Sequence, residues 1–102
     1  MKDPNFAPVY ACLYPGLAEI ARAHGYAMAV HGSLARDFDL ICIPWVENPS
    51  MPQEVVNAIT TKYAINQTGD PEVREHGRLV YTIVMQFGEC FLDLSFMPML
   101  RA

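Results

Sequence analysis

Residues 31–40 read His31-Gly32-Ser33-Leu34-Ala35-Arg36-Asp37-Phe38-Asp39-Leu40, and a third acidic residue returns far downstream in Phe91-Leu92-Asp93-Leu94-Ser95-Phe96. Alternate residues of a strand point to one face, so Asp37 and Asp39 project together while Phe38 and Leu40 pack inward. Aspartate is a poor strand residue, and three of them in or beside strand-like runs call for an explanation. Two are open. The carboxylates are ordinary polar-out positions of half-buried strands, or Asp37, Asp39 and Asp93 converge and bind Mg²⁺ or Mn²⁺ through hard oxygen ligands. The turn ahead of the acidic pair suits the second account. Gly32 lets a phosphate approach the backbone, the Ser33 hydroxyl donates a hydrogen bond, and Arg36 offers a charged fork.

Working outward, apolar residues at Val9, Leu13, Leu17, Ile20 and Ala21, with His24, follow the spacing of one helical face from about Pro8 to about His24. Pro15-Gly16 interrupts this face and predicts a kink, and Gly25 supplies a left-handed stop. Tyr26–His31 and Asp37–Trp45 read as strands with a very short connection. Asn48–Gln53 is a loop running into a helix, with Ser50 as cap, Gln53 closing a capping box and Pro52 in the first turn. Val55, Val56, Ile59 and Tyr63 mark the buried face of that helix. Residues 66–77 are polar, with Gly69-Asp70-Pro71 as turn chemistry, and read as a mobile loop. Leu79–Phe87 and Cys90–Met97 form two strand-like runs around Gly88-Glu89, the pattern of a two-residue hairpin. The element order gives a mixed α+β fold: a mixed sheet of about four strands with helices packed against it.

The 102 residues suffice for one small domain, spanning 1–102, with a single core. An apolar fraction of 52% with 18% charged residues describes a globular chain. Seven Lys and Arg against eleven Asp and Glu give a net charge of -4 with no basic run, which argues against an extended nucleic acid as partner. Cys12, Cys42 and Cys90 form no C-x-x-C pair and leave an odd thiol, which favours a reducing compartment. No signal-peptide pattern opens the chain, and no apolar stretch approaches the ~20 residues that span a bilayer, so a cytoplasmic location without membrane contact is expected. The common phosphate-loop, dinucleotide and zinc-protease motifs are absent.

The run His31–Leu40, followed by Phe91-Leu92-Asp93-Leu94, resembles the signature of the DNA polymerase beta-type nucleotidyltransferase superfamily, especially its minimal stand-alone members. The resemblance covers residues from about Gly25 to about Met97. It implies a nucleotidyltransferase-like mixed sheet. It also implies that Gly32 and Ser33 grip a nucleoside triphosphate, with Arg36 beside them. Asp37 and Asp39 would hold two Mg²⁺ ions, and Asp93 would complete one metal site and help activate an acceptor hydroxyl. The implied reaction transfers a nucleoside monophosphate to that acceptor. The acidic balance favours a small cationic molecule or a protein side chain over a long nucleic acid.

Family members usually carry a longer segment between the Gly-Ser and the acidic pair, whereas Asp37 here follows Arg36 directly. A second reading therefore stands beside the first: a non-catalytic interaction module of the same fold. Either expects self-association or a helical partner protein. The remaining candidates have plainer explanations. His31 is expected to be bonded locally, Arg74 and Arg78 are expected as solvated loop charges, and Trp45 is expected in a core or interface or, failing that, as a stacking surface for a base.

Overall fold

The computed structural model describes residues 7–32, 34, 37–85 and 90–98. Among these, the order is α1 (Ala7–Ala23), β1 (Tyr26–His31), β2 (Asp37–Pro44), α2 (Pro52–Tyr63), β3 (Asn66–Arg74), a tight turn at Glu75–Gly77, β4 (Arg78–Val84) and β5 (Phe91–Phe96). The fold is mixed α+β as expected, but the sheet has five strands, in the order β1-β2-β5-β4-β3. All neighbours are antiparallel except β2 and β5, which run parallel at its centre.

The extra strand is a correction to the loop expected over residues 66–77. Its polar residues and Gly69-Asp70-Pro71 read as a connection, yet Asn66–Arg74 pairs with β4 along an outer edge, and the register breaks between Thr68 and Glu72. An edge strand faces water on one side and needs little apolar character, and an irregularity there discourages pairing with other chains. The expected two-residue turn at Gly88-Glu89 lies outside the described residues. Its flanking strands do pair antiparallel, from Leu79 opposite Phe96 to Val84 opposite Phe91.

Both helices cover one face of the sheet. Tyr10, Leu17 and Ala21 of α1 and Val55, Val56 and Ile59 of α2 are buried against Phe38, Leu40 and Cys42 of β2 and Leu92, Leu94 and Phe96 of β5. Helical periodicity placed Val9 on the buried face, but Val9 is exposed and Tyr10 takes its place, stacked on Phe38 at 4.7 Å. Helix α1 runs through Pro15 and Gly16 without ending. Gly16 is where the second helix comes close, since a Cβ there would lie 2.1 Å from the Tyr63 hydroxyl. The second helix starts one residue later than the capping pattern suggested. Met51 is its cap, Pro52 follows, and the Met51 N–H donates to the Glu54 carboxylate at 3.1 Å. Tyrosine hydroxyls tie the layers together: Tyr14 donates to the Met28 carbonyl at 2.5 Å and Tyr26 to the Ser50 carbonyl at 2.7 Å.

Phe38 is fully buried at the contact between α1 and the central strands. Phe38→Ala is expected to cost about 3–5 kcal/mol through lost burial and the cavity left behind, read as a lower urea midpoint with an unchanged slope.

Candidate functional site

Because Phe38, Leu40, Leu92 and Leu94 point into the core, the residues between them must point to the opposite, helix-free face. Asp37, Asp39, Asp93 and Ser95 therefore share that open face. Asp39 and Asp93 are register partners on the parallel strands, which puts their backbones about 4.8 Å apart. The pairing extends in both directions: His31 lies opposite Asp39, Thr82 opposite Asp93, and Thr68 opposite Thr82. One polar row, His31, Asp39, Asp93, Thr82 and Thr68, thus crosses all five strands. Asp37 stands on the same face two residues up β2, opposite Phe91, and is exposed.

The two central carboxyls interact. Burial raises the pKa of Asp93 above its ordinary value, and the charge and hydrogen bonding of Asp39 push it the same way. The Thr82 hydroxyl, which donates to Asp93 Oδ1 at 3.1 Å, and the positive charge of Arg74 act in the opposite direction. Gly32 closes the row at the end of β1 with φ +87°, where a Cβ would sit 2.8 Å from Asp39 Oδ2. The backbone conformation favours glycine here, and the Asp39 carboxylate would have to turn aside for a Cβ. On the helix side Tyr10 is raised above the usual tyrosine range, chiefly by burial, then by a hydrogen bond and charge from Cys90, and further by the charges of Asp37 and Asp39.

Of the residues singled out from the sequence, Gly32, Asp39 and Asp93 come together and Asp37 flanks them. Ser33 and Arg36 lie outside the described residues. Among the described residues, no three His, Cys, Asp or Glu side chains gather closely enough to hold an ion by themselves. The Asp39–Asp93 pair still offers hard oxygen donors of the kind Mg²⁺ takes when one or two carboxylates and substrate oxygens share it. Sequence reasoning missed Thr82, whose only signal was its place in the strand before the Asp93 strand; His31, expected to be bonded locally, lies opposite Asp39 in the register. The cysteines lie in α1 or on the helix side of the sheet, away from this face. Cys12, Cys42 and Cys90 are free thiols, and burial pushes the Cys42 thiol up to about 12, which leaves it an inert core residue.

Further along the same face, Ile41, Ile43, Pro44, Trp45, Met97 and Pro98 line an apolar groove of about 630 Å³. Trp45 is 78% exposed on its wall, so it is no core residue. Arg74 and Arg78, expected in a loop, sit instead in paired strands. No helix among the described residues is long and apolar enough to cross a membrane. No protein-family model matches the chain, and no curated protein does.

Two predictions test this geometry. Gly32→Ala is expected to cost about 1–3 kcal/mol from the forced backbone alone. The loss should shrink in an Asp39→Ala background, where the steric conflict is gone, and a double-mutant cycle by urea unfolding measures the difference. The second concerns pH. A carboxyl whose folded pKa is raised binds its proton more tightly when folded, so the folded state loses stability as pH rises from the unfolded value of 3.8 through the raised folded value. Asp93→Asn removes that penalty and keeps an acceptor for Thr82. It is expected to raise the melting temperature at pH 7 and to flatten the pH dependence across that window, with little effect below it.

Proposed function

We propose that this chain is a minimal nucleotidyltransferase-like domain of the DNA polymerase beta type, working in the cytoplasm. Its reaction transfers a nucleoside monophosphate from a nucleoside triphosphate to an acceptor hydroxyl. The observation that carries this reading is the in-register pairing of Asp39 with Asp93 on parallel strands, beside Gly32 at positive φ. Two carboxyls facing each other in a sheet repel, and a shared cation removes that cost.

In this reading Asp37, Asp39 and Asp93 hold Mg²⁺ or Mn²⁺, two ions in the full complement. Bound there, the metal would neutralise charge on the phosphates and on the reacting oxygens. Gly32 and Ser33 admit the triphosphate to the backbone, and Arg36 meets its charge. Asp93 takes the proton of the acceptor hydroxyl while the new oxygen–phosphorus bond forms and the bond to the pyrophosphate oxygen breaks. Its raised proton affinity and its anchoring by Thr82 suit that task. The acceptor is a small molecule or a protein side chain.

A second reading has its own support. Ile43, Val46 and Trp45 are 42%, 47% and 78% exposed around the groove, and an apolar surface of this kind also fits a domain that acts by docking, as a homo-oligomer or with a helical partner. In that case the carboxylate pair carries no nucleotide.

The readings separate on titration with Mn²⁺ and a non-hydrolysable nucleoside triphosphate. The first expects metal-dependent nucleotide binding and a rise in melting temperature, both lost in Asp39→Asn with Asp93→Asn, and a fall in transferase activity of about 100-fold or more. That double variant should be the more stable protein without metal, because its like-charge contact is gone. A native chain that neither binds nucleotide nor gains stability with Mn²⁺ would sink the enzyme reading.

A further inference from the structure

The open face carries two like-charged cross-strand pairs of opposite sign. Asp39 and Asp93 form one, and Arg74 and Arg78, opposite each other at the far end of β3 and β4, form the other. Like charges opposite one another weaken a sheet, so the arginine pair calls for an anion as the carboxyl pair calls for a cation. Arg78 is half-buried and held in place. Its Nε donates to the Glu75 carbonyl at 3.2 Å and its guanidinium donates to the Ser95 hydroxyl at 3.2 Å.

Ser95 lies two residues past Asp93 on the same face, which sets this guanidinium contact about 7 Å along the strand from the carboxyl pair. Arg74 meets the Glu72 carboxylate at 3.1 Å, with side chains 51% and 69% exposed, and an ion pair so open to water gives way to a better-placed anion. A guanidinium has five donors in a fixed fork, and these contacts use one on Arg74 and two on Arg78.

The order of strands decides which anion this is. Gly32 lies on the β1 side of the carboxyl pair, and the arginines lie on the β4–β3 side. Resting on the nucleotidyltransferase reading, the triphosphate belongs at Gly32, so the arginines stand on the acceptor's side. We infer that Arg74 and Arg78 bind a phosphate group carried by the acceptor, which makes the acceptor a small phosphorylated alcohol. This replaces the cationic acceptor expected from net charge alone, because net charge says nothing of where the arginines gather. The planar fork of arginine matches a phosphate with two parallel bonds, and two forks on neighbouring strands can share one.

The full chain, labelled with ¹⁵N, is titrated with inorganic phosphate in the absence of metal and read at the arginine Nε–Hε and backbone amide resonances. A separate Mn²⁺ titration is read by solvent relaxation. Saturable shifts at Arg74, Arg78 and Ser95 are expected. Phosphate affinity should fall about ten-fold or more in Arg74→Gln with Arg78→Gln, while Mn²⁺ binding is retained. Arg74→Gln alone leaves the Arg78–Ser95 contact intact and should weaken phosphate severalfold, which guards against a folding defect in the double variant. Shifts confined to the Gly32 end, or equal affinity in all three proteins, would overturn the anion site. Arginine-dependent phosphate binding in a chain that takes up no Mn²⁺ would instead overturn the nucleotidyltransferase reading and the acceptor assignment with it.

Discussion

The parallel pairing of β2 with β5 is the constraint from which the remaining architecture follows. Parallel neighbours cannot be joined by a tight turn, and the chain spends α2, β3 and β4 between them. That excursion places α2 beside α1 on one face and leaves the other face free of helices among the described residues. It also fixes the site. Phe38, Leu40, Leu92 and Leu94 are at most 1% exposed, and a slip of one residue would drive Asp93 under the helices while throwing the leucines into water. The core therefore enforces a contact between two carboxyls that they would not form on their own.

This contact runs against stability. Burial and the neighbouring Asp39 both raise the proton affinity of Asp93, and Thr82 and the charge of Arg74 offset only part of that. Gly32, at φ +87° beside Asp39, meets a local constraint that a residue with a Cβ would meet only under strain. Such features persist where the surrounding packing over-determines them, and they gather at functional sites. Here the packing is supplied by the stacked Tyr10–Phe38 pair and by the edge contacts of Tyr26 and Tyr81 with Phe96.

Much of this was legible in the sequence. The alternation Asp37-Phe38-Asp39-Leu40 and Leu92-Asp93-Leu94 placed the carboxyls on one face and the apolar residues on the other, because a buried face leaves the pattern no freedom. Residues 66–74 were misread for the converse reason. An edge strand is specified by its neighbour's backbone more than by its own side chains, and Gly69-Asp70-Pro71 writes a bulge in the vocabulary of a loop. That error hid the arginine pair, since residues assigned to a loop have no register partners. Thr82 was invisible as a site residue for a related reason: its significance lies wholly in what stands opposite it.

Along β2 and β5, the open face changes in character. The polar row centred on Asp39 and Asp93 lies toward one end, and the apolar groove with Trp45 lies toward the other, with Ile41 and Ser95 between. A surface evolved only for docking keeps charge out of its centre, whereas here a carboxyl pair, only partly offset by Thr82 and Arg74, occupies β2 and β5. A surface evolved only for catalysis has no need of an exposed tryptophan several residues away. Catalytic and docking readings therefore claim different parts of one face. Both helices pack on the other side of the sheet, so the groove and the acidic row stay open side by side, and a molecule seated on the groove would border the row and shield it from water.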